Sequence, residues 1–116
     1  MGLDMYLRDS TGKNELGYWR KANSIHGWIV REKADDVDEC QKIPLTREDL
    51  EQLRKVCLNV LLNPEKAQEC LPPTSGSFFG SYEVDNYYFQ YLQDTVKILD
   101  DILSTRKRRF VYQASW

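Results

Sequence analysis

The spacing of hydrophobic positions changes along the first third of the chain. Leu3, Met5 and Leu7 alternate with more polar neighbours, which is the period of two that a half-buried β-strand shows. Residues 9–14 carry the Ser, Thr, Gly and Asn that are typical of a turn. From about residue 16 to residue 33, apolar side chains recur three and four positions apart. This spacing predicts a helix over 16–33.

Two further helices are predicted in the centre and the second half of the chain. Thr46 stands at an N-cap position and Asp49 follows three residues later, a variant of the capping box, which predicts a helix over 47–62. The longest helix is predicted over 84–105. The apolar stripes of these two helices are Leu50, Leu53, Cys57 and Val60 in the first, and Tyr88, Leu92, Thr95, Leu99 and Ile102 in the second.

A second alternating segment lies close to the end of the sequence. Phe110 and Tyr112 alternate with Val111 and Gln113, which predicts a final strand. Two terminal strands with three main helices between them predict an α+β fold in which the first and last strands pair antiparallel. With 116 residues, we expect one globular domain over 1–116.

Composition and charge exclude several classes of protein. Hydrophobic residues make up 41% of the chain and no apolar run reaches the roughly 20 residues of a membrane span, so we expect no membrane partner. Sixteen basic against 18 acidic residues give a net charge of -2, which argues against nucleic acid as a partner. The basic run 106–109 is interpreted as a set of partners for the negative end of the preceding helix.

The cysteines give no indication of a bridge framework or a bound group. Cys40, Cys57 and Cys70 are odd in number and widely spaced, which argues against a secreted disulfide scaffold and against a zinc site. We therefore expect no metal and no cofactor, and we interpret Cys57 as a small core residue.

The segment from Tyr18 to Trp28 carries the strongest indication of a binding site. Trp19, Asn23 and His26 would share one face of the predicted helix, and Arg20 adds a cation beside them. These side chains suit an anionic ring such as a nucleotide. Alternatively, the aromatic rings fill the core and His26 is a buried hydrogen-bonding residue. Gly27 lowers helix stability, which indicates that another segment approaches the backbone there or that the helix bends.

A second candidate is the loop over 75–81, which combines glycines with hydroxyl side chains. The glycines would let backbone N–H groups approach an anion, and the serines could donate to phosphate oxygens. The residues concerned are Ser75, Gly76, Ser77 and Gly80. The alternative is a tight connection that Phe78 and Phe79 hold against the core. We expect the ligand to bind where this loop meets the helix with Asn23 and His26.

Binding ranks above catalysis in this sequence, and no catalytic residue is assigned. His26 is the one histidine, and Glu83 or Asp85 would have to serve as its acidic partner without any motif that supports the pairing. Ser75 and Ser77 lack the G-x-S-x-G elbow of serine hydrolases.

Three motifs together resemble a family of small uncharacterised bacteriophage and prophage proteins. They are MGLDMYL at residues 1–7, YWRKANSIHGW at residues 18–28 and SGSFFGS at residues 75–81. The resemblance implies a phage origin and a place in the cytoplasm of the bacterial host, but no established chemistry.

Residues and resemblance together give three hypotheses. The first is a non-catalytic phage accessory protein that binds a small anionic ligand such as a nucleotide, with a role in host takeover or in countering bacterial defence. The second is an inhibitor that binds a host protein, using the acidic loop over 35–39 or exposed aromatic side chains. A small hydrolase ranks third.

Overall fold

A four-stranded antiparallel sheet forms one layer of the fold in the computed structural model, which describes residues 2–74 and 83–116. The strand order is β2-β1-β4-β3, so the first and last strands lie side by side in the centre. Met5 lies opposite Ala114, and Leu7 lies opposite Tyr112. The strands are β1 (Asp4–Asp9), β2 (Glu15–Arg20), β3 (Ile43–Thr46) and β4 (Arg109–Ser115). The predicted pairing of the chain ends is confirmed, but within a larger sheet than expected.

The described residues form four α-helices, with a 3-10 turn over Pro64–Lys66 before the third; the first, second and fourth contact strands of the sheet, and the third contacts the second. They are α1 (Asn23–Lys33), α2 (Arg47–Leu62), α3 (Ala67–Cys70) and α4 (Asn86–Leu103). The α+β class is therefore correct. No helix among the described residues combines the length and hydropathy that a membrane crossing requires.

The predicted helix over 16–33 is wrong in its first half, where β2 stands instead. Gly17 and Trp19 are buried while Tyr18 and Arg20 are exposed, so this segment alternates with a period of two. The change to helix takes place at Lys21, whose φ of 59° is left-handed and interrupts regular structure. β-Sheet pairing with β1 decides the conformation of this segment, since its local sequence suits both structures.

The helices predicted over 47–62 and 84–105 are present, the second with shorter bounds. The capping box of α2 is complete: Thr46 accepts from the Asp49 N–H, and the Asp49 carboxylate accepts from the Thr46 N–H. Both predicted stripes are buried, including Leu99 and Cys57. Burial raises the pKa of the Cys57 thiol to about 12, so this cysteine behaves as a core residue.

Two glycines mark places where helices and strands approach unusually closely. A Cβ atom on Gly27 would lie 1.9 Å from Oγ1 of Thr74, so α1 and the segment before residue 75 touch at this backbone. This confirms the close approach that the sequence indicated. On β2, a Cβ atom on Gly17 would lie 2.7 Å from Cγ2 of Ile98 on α4. Glycine at these positions allows the layers to pack together.

Within the described part of the chain, no helix covers the opposite face of the sheet. Alternation along β1 places Met5 and Leu7 in the core and directs Tyr6 and Arg8 to the other side. Cross-strand neighbours extend this surface, which we call the open face; it consists of Tyr6, Arg8, Tyr18, Arg109, Val111 and Gln113.

The turn between β1 and β2 is organised around Asp9. Its carboxylate accepts hydrogen bonds from the Thr11 backbone N–H at 3.2 Å and from the side chains of Thr11 and Asn14. These side-chain hydrogen bonds hold the pKa of Asp9 well below its ordinary range.

We expect Asp9→Ala to destabilise the protein in a way that depends on pH. The folded-state pKa lies below the unfolded value of about 3.9, so the stabilisation is complete above that pH and is lost as the pH falls further. Urea unfolding at neutral pH and at successively lower pH should show the variant and the original protein converging below about pH 4. Asp101→Ala, at an exposed position of α4, controls for the loss of one negative charge. A gap that stays constant across this range would contradict the prediction.

Candidate functional site

The structure does not bring the predicted binding residues together on one helix face. Trp19 lies on β2 with its ring in the core, where its Nε1 donates to Oγ1 of Thr95 at 2.8 Å. Arg20 is exposed at the end of β2, with its Nε atom 3.9 Å from Oδ1 of Asp4. Because both residues belong to a strand, the helical spacing does not place them on one face with Asn23.

Asn23 is the first residue of α1 and connects that helix to a distant segment. Its Oδ1 accepts a hydrogen bond from the backbone N–H of Thr74 at 3.0 Å. The same Thr74 touches Gly27 one helical turn further along α1. Asn23 therefore fixes the chain immediately before residue 75.

His26 is a buried hydrogen-bonding residue, as the alternative interpretation of the sequence states. It is 1% exposed, with Nδ1 2.7 Å from the Tyr112 hydroxyl and Nε2 2.9 Å from Oδ2 of Asp38. Burial raises the pKa of Tyr112 well above its ordinary value, so the hydroxyl keeps its proton. This favours the tautomer in which Tyr112 donates to Nδ1 and the Nε2–H donates to Asp38. The carboxylate beside His26 is therefore Asp38, not the Glu83 or Asp85 that the sequence offered.

The second predicted component lies outside the described residues. Ser75, Gly76, Ser77 and Gly80 all fall between Thr74 and Glu83, where the description of the chain is interrupted. The segment that follows this interval, from Glu83 onward, contributes to a pocket together with the start of α1.

This pocket lies between the start of α1 and the start of α4. Its volume is about 190 Å³, and it is lined by Asn23, Ser24, Glu83, Asp85, Tyr87, Tyr88 and Tyr91. Of the predicted binding residues that the structure describes, Asn23 alone lies in this lining. By volume the pocket suits a single ring or one side chain rather than a ligand of several rings.

The polar groups of the pocket divide into donors and acceptors. Ala22 is the N-cap residue of α1 and makes no side-chain capping hydrogen bond, while its carbonyl accepts from the N–H groups of Ile25 and His26. Ser24 is only 2% exposed, and its side chain lines the pocket with a hydroxyl group. Glu83 and Asp85 contribute carboxylate oxygens from the other segment.

The aromatic part of the pocket is built by the first turns of α4. Asp85 is the N-cap, and its Oδ1 accepts from the Tyr88 N–H at 3.0 Å. The Tyr88 hydroxyl donates to the carbonyl of Leu71 at 2.7 Å, and burial raises the pKa of this phenol. Tyr88 is thereby fixed in place, while Tyr87 is 71% exposed at the rim.

Among the described lining residues, the sequence assigned only Asn23 to the binding site and named Glu83 and Asp85 only as acidic partners of His26. The signals that could have found them are the N-cap residue Asp85 followed three positions later by Tyr88, and the tyrosines at one side of a helix start. Ser24 gives no such signal, since it is an ordinary polar residue inside the motif at residues 18–28.

Comparison with protein-family models, with curated proteins and with solved structures finds no match to this chain. Within the described ranges, no three potential metal ligands lie close enough to hold one ion. Function must therefore be inferred from the chemistry of the site itself.

Proposed function

We propose that this protein is a non-catalytic phage accessory protein that binds the base of a nucleotide or nucleoside in the pocket between α1 and α4. The phage origin rests on the resemblance of the three sequence motifs. The observation that supports binding is a pocket walled by tyrosines, in which Asn23, Ser24, Glu83 and Asp85 supply polar groups.

The chemistry of the lining favours a planar ring with both donors and acceptors on its edge. The Ser24 hydroxyl offers a hydrogen-bond donor, and the carboxylates of Glu83 and Asp85 offer acceptors. Nucleobases carry both kinds of group, and their faces stack on tyrosine rings. The lining residues include no lysine or arginine, so we expect the base, not the phosphate, to be the part recognised.

The second candidate is an inhibitor that accepts one basic side chain of a host protein. Two carboxylates beside the rings of Tyr87 and Tyr91 would also suit an arginine or lysine head group. This candidate shares the pocket with the first, so a ligand series separates them.

Thermal unfolding with nucleoside monophosphates, free bases and N-acetylarginine amide tests the proposal. A ligand at 100 times its Kd is expected to stabilise the fold by about 2.7 kcal/mol. Tyr91→Ala and Ser24→Ala should each weaken binding by about tenfold, because they remove a stacking surface and a donor. Gln93→Ala, exposed on the same helix and outside the pocket, serves as the matched control.

The outcomes separate the two candidates. Binding of a base that Tyr91→Ala weakens and Gln93→Ala leaves unchanged supports the first. If only N-acetylarginine amide binds, and Glu83→Gln abolishes this binding, the inhibitor of a host protein replaces the nucleobase-binding protein as the proposed function. If no compound shifts the melting temperature, the pocket is not the binding site.

A further inference from the structure

The open face of the sheet carries a cluster of flat side chains outside the pocket. Tyr6 and Tyr18 are cross-strand neighbours with ring centroids 5.4 Å apart. The guanidinium of Arg8 lies 4.8 Å from the centre of the Tyr6 ring, so it covers that ring as a cation. The Tyr18 hydroxyl donates to Asp4 at 2.6 Å, which fixes a ring that remains 44% exposed. The cluster is ordered before any ligand arrives.

A line of cations continues from this cluster across the same face. Three adjoining hollows of about 350, 380 and 480 Å³ share Ser10 at their junction. The cations along their walls include Arg8, Lys42, Lys107 and Arg109. Lys42, Lys107 and Arg109 form no ion pair within the described part of the chain. These charges are therefore available to an anionic partner.

The two carboxylates in these hollows already have partners. Asp9 accepts hydrogen bonds from Thr11 and Asn14 in the turn. Asp49 accepts from the Thr46 N–H and lies 2.9 Å from Nζ of Lys33. Lys33 thus compensates the charge of Asp49, while Asp9 keeps its charge and is held in the turn by neutral donors. The cations Arg8, Lys42, Lys107 and Arg109 still outnumber this one carboxylate.

The end of α4 has a hydrogen-bonding partner besides the basic run over 106–109 that the sequence suggested. The carbonyls at that end accept hydrogen bonds from the Arg47 guanidinium: Leu103 at 2.6 Å, Thr105 at 2.8 Å and Lys107 at 3.1 Å. Arg109 instead belongs to β4, on the same side of the strand as Val111 and Gln113. Arg47 on α2 supplies the hydrogen bonds to these carbonyls, so the residues of the basic run are not needed for them.

We propose that the open face binds a single-stranded nucleic acid. Its bases would stack on Tyr18 and on the Arg8 guanidinium, and its phosphates would follow the cations from Arg8 to Arg109. Aromatic and guanidinium planes on a sheet can contact bases only where these are unstacked, which excludes a duplex as the preferred partner. The net charge of -2 does not oppose this inference, because a local cationic surface determines where a polyanion binds.

Fluorescence anisotropy with labelled oligonucleotides tests the proposal on the full chain. Oligomers of about 12 nucleotides, as single-stranded DNA, single-stranded RNA and a duplex, cover the site sizes of common single-strand binding domains. We expect either single strand to bind more tightly than the duplex at about 50 mM salt, where phosphate contacts are strong. The preferred single strand identifies the natural class.

Charge variants distinguish contact at this face from general attraction. Lys42→Ala with Arg109→Ala should reduce the slope of log K against log salt concentration by about 1.4, because each lost phosphate contact accounts for about 0.7. Lys55→Ala with Lys97→Ala removes the same charge from exposed positions on the helices and should leave the slope unchanged.

Aromatic variants test stacking separately. Tyr18→Ala should weaken binding by about tenfold, and Tyr18→Phe, which keeps the ring, should not. Tyr91→Ala in the pocket should have no effect on oligonucleotide binding. The proposal for the pocket and the proposal for the open face are therefore tested separately.

Three results would overturn the proposal: no binding at low salt, tighter binding of the duplex, or equal losses in both pairs of charge variants. Sedimentation measurements provide a further check. If the protein is a dimer that Arg109→Glu dissociates, a second copy of the chain covers this face instead.

Discussion

Replacing Leu99 with alanine is expected to lower the free energy of unfolding by about 2–5 kcal/mol. Leu99 is fully buried on α4, within the single cluster that joins the helices to the sheet. Alanine would remove apolar contacts and leave a cavity that α2 and the sheet can close only in part. Urea denaturation followed by far-UV circular dichroism gives the change directly.

Leu62→Ala is the matched control, since Leu62 ends α2 and is 80% exposed. The same truncation there should change stability by no more than about 0.5 kcal/mol. Equal effects of the two substitutions would show that α4 does not hold the core together.

Replacing His26 with alanine is expected to destabilise the protein by about 1–3 kcal/mol, with a further loss from the cavity that the ring leaves. The buried Tyr112 hydroxyl would lose its hydrogen-bond partner, and Asp38 would lose the Nε2–H contact. In a Tyr112→Phe background the cost should be smaller, because the hydroxyl is already absent. A double-mutant cycle by urea denaturation measures the difference.

Tyr87→Phe controls for removal of a phenol hydroxyl, since Tyr87 is largely exposed. A His26→Ala variant that is as stable as the original chain, yet no longer binds its ligand, would return His26 to the binding site. Additive effects of His26→Ala and Tyr112→Phe would show that their hydrogen bond contributes nothing.

The elements that the sequence predicts well are those whose local signals agree with their packing. In α2, the capping residues Thr46 and Asp49 and the apolar stripe all indicate the same helix. β3 could not be predicted, because it has only four residues and contains Pro44. In β2, Trp19 suits a helix stripe and a strand equally, and only pairing with Met5 decides between them.

The candidate site was harder to predict than the fold because its parts are distant in sequence. Ser24 and Tyr91 line one pocket from different helices, and no local pattern connects them. The role of His26 depends on Tyr112, 86 positions away. Periodicity shows which face of an element is apolar, but it does not show which polar residues that face will meet.

The central position of β1 and β4 has a consequence for how the protein folds. The Arg8 and Gln113 side chains, which bond across these strands, are 105 positions apart, so their pairing closes nearly the whole chain into one loop. Contacts of such long range slow folding, because chain entropy is lost before the contacts between the strands can stabilise the structure. On the ribosome, β1 can pair with β2 early, but its other edge has no partner until β4 has emerged. During that interval the nascent chain exposes an unpaired strand edge with Met5 and Leu7 beside it, which is the state most open to aggregation or to a chaperone.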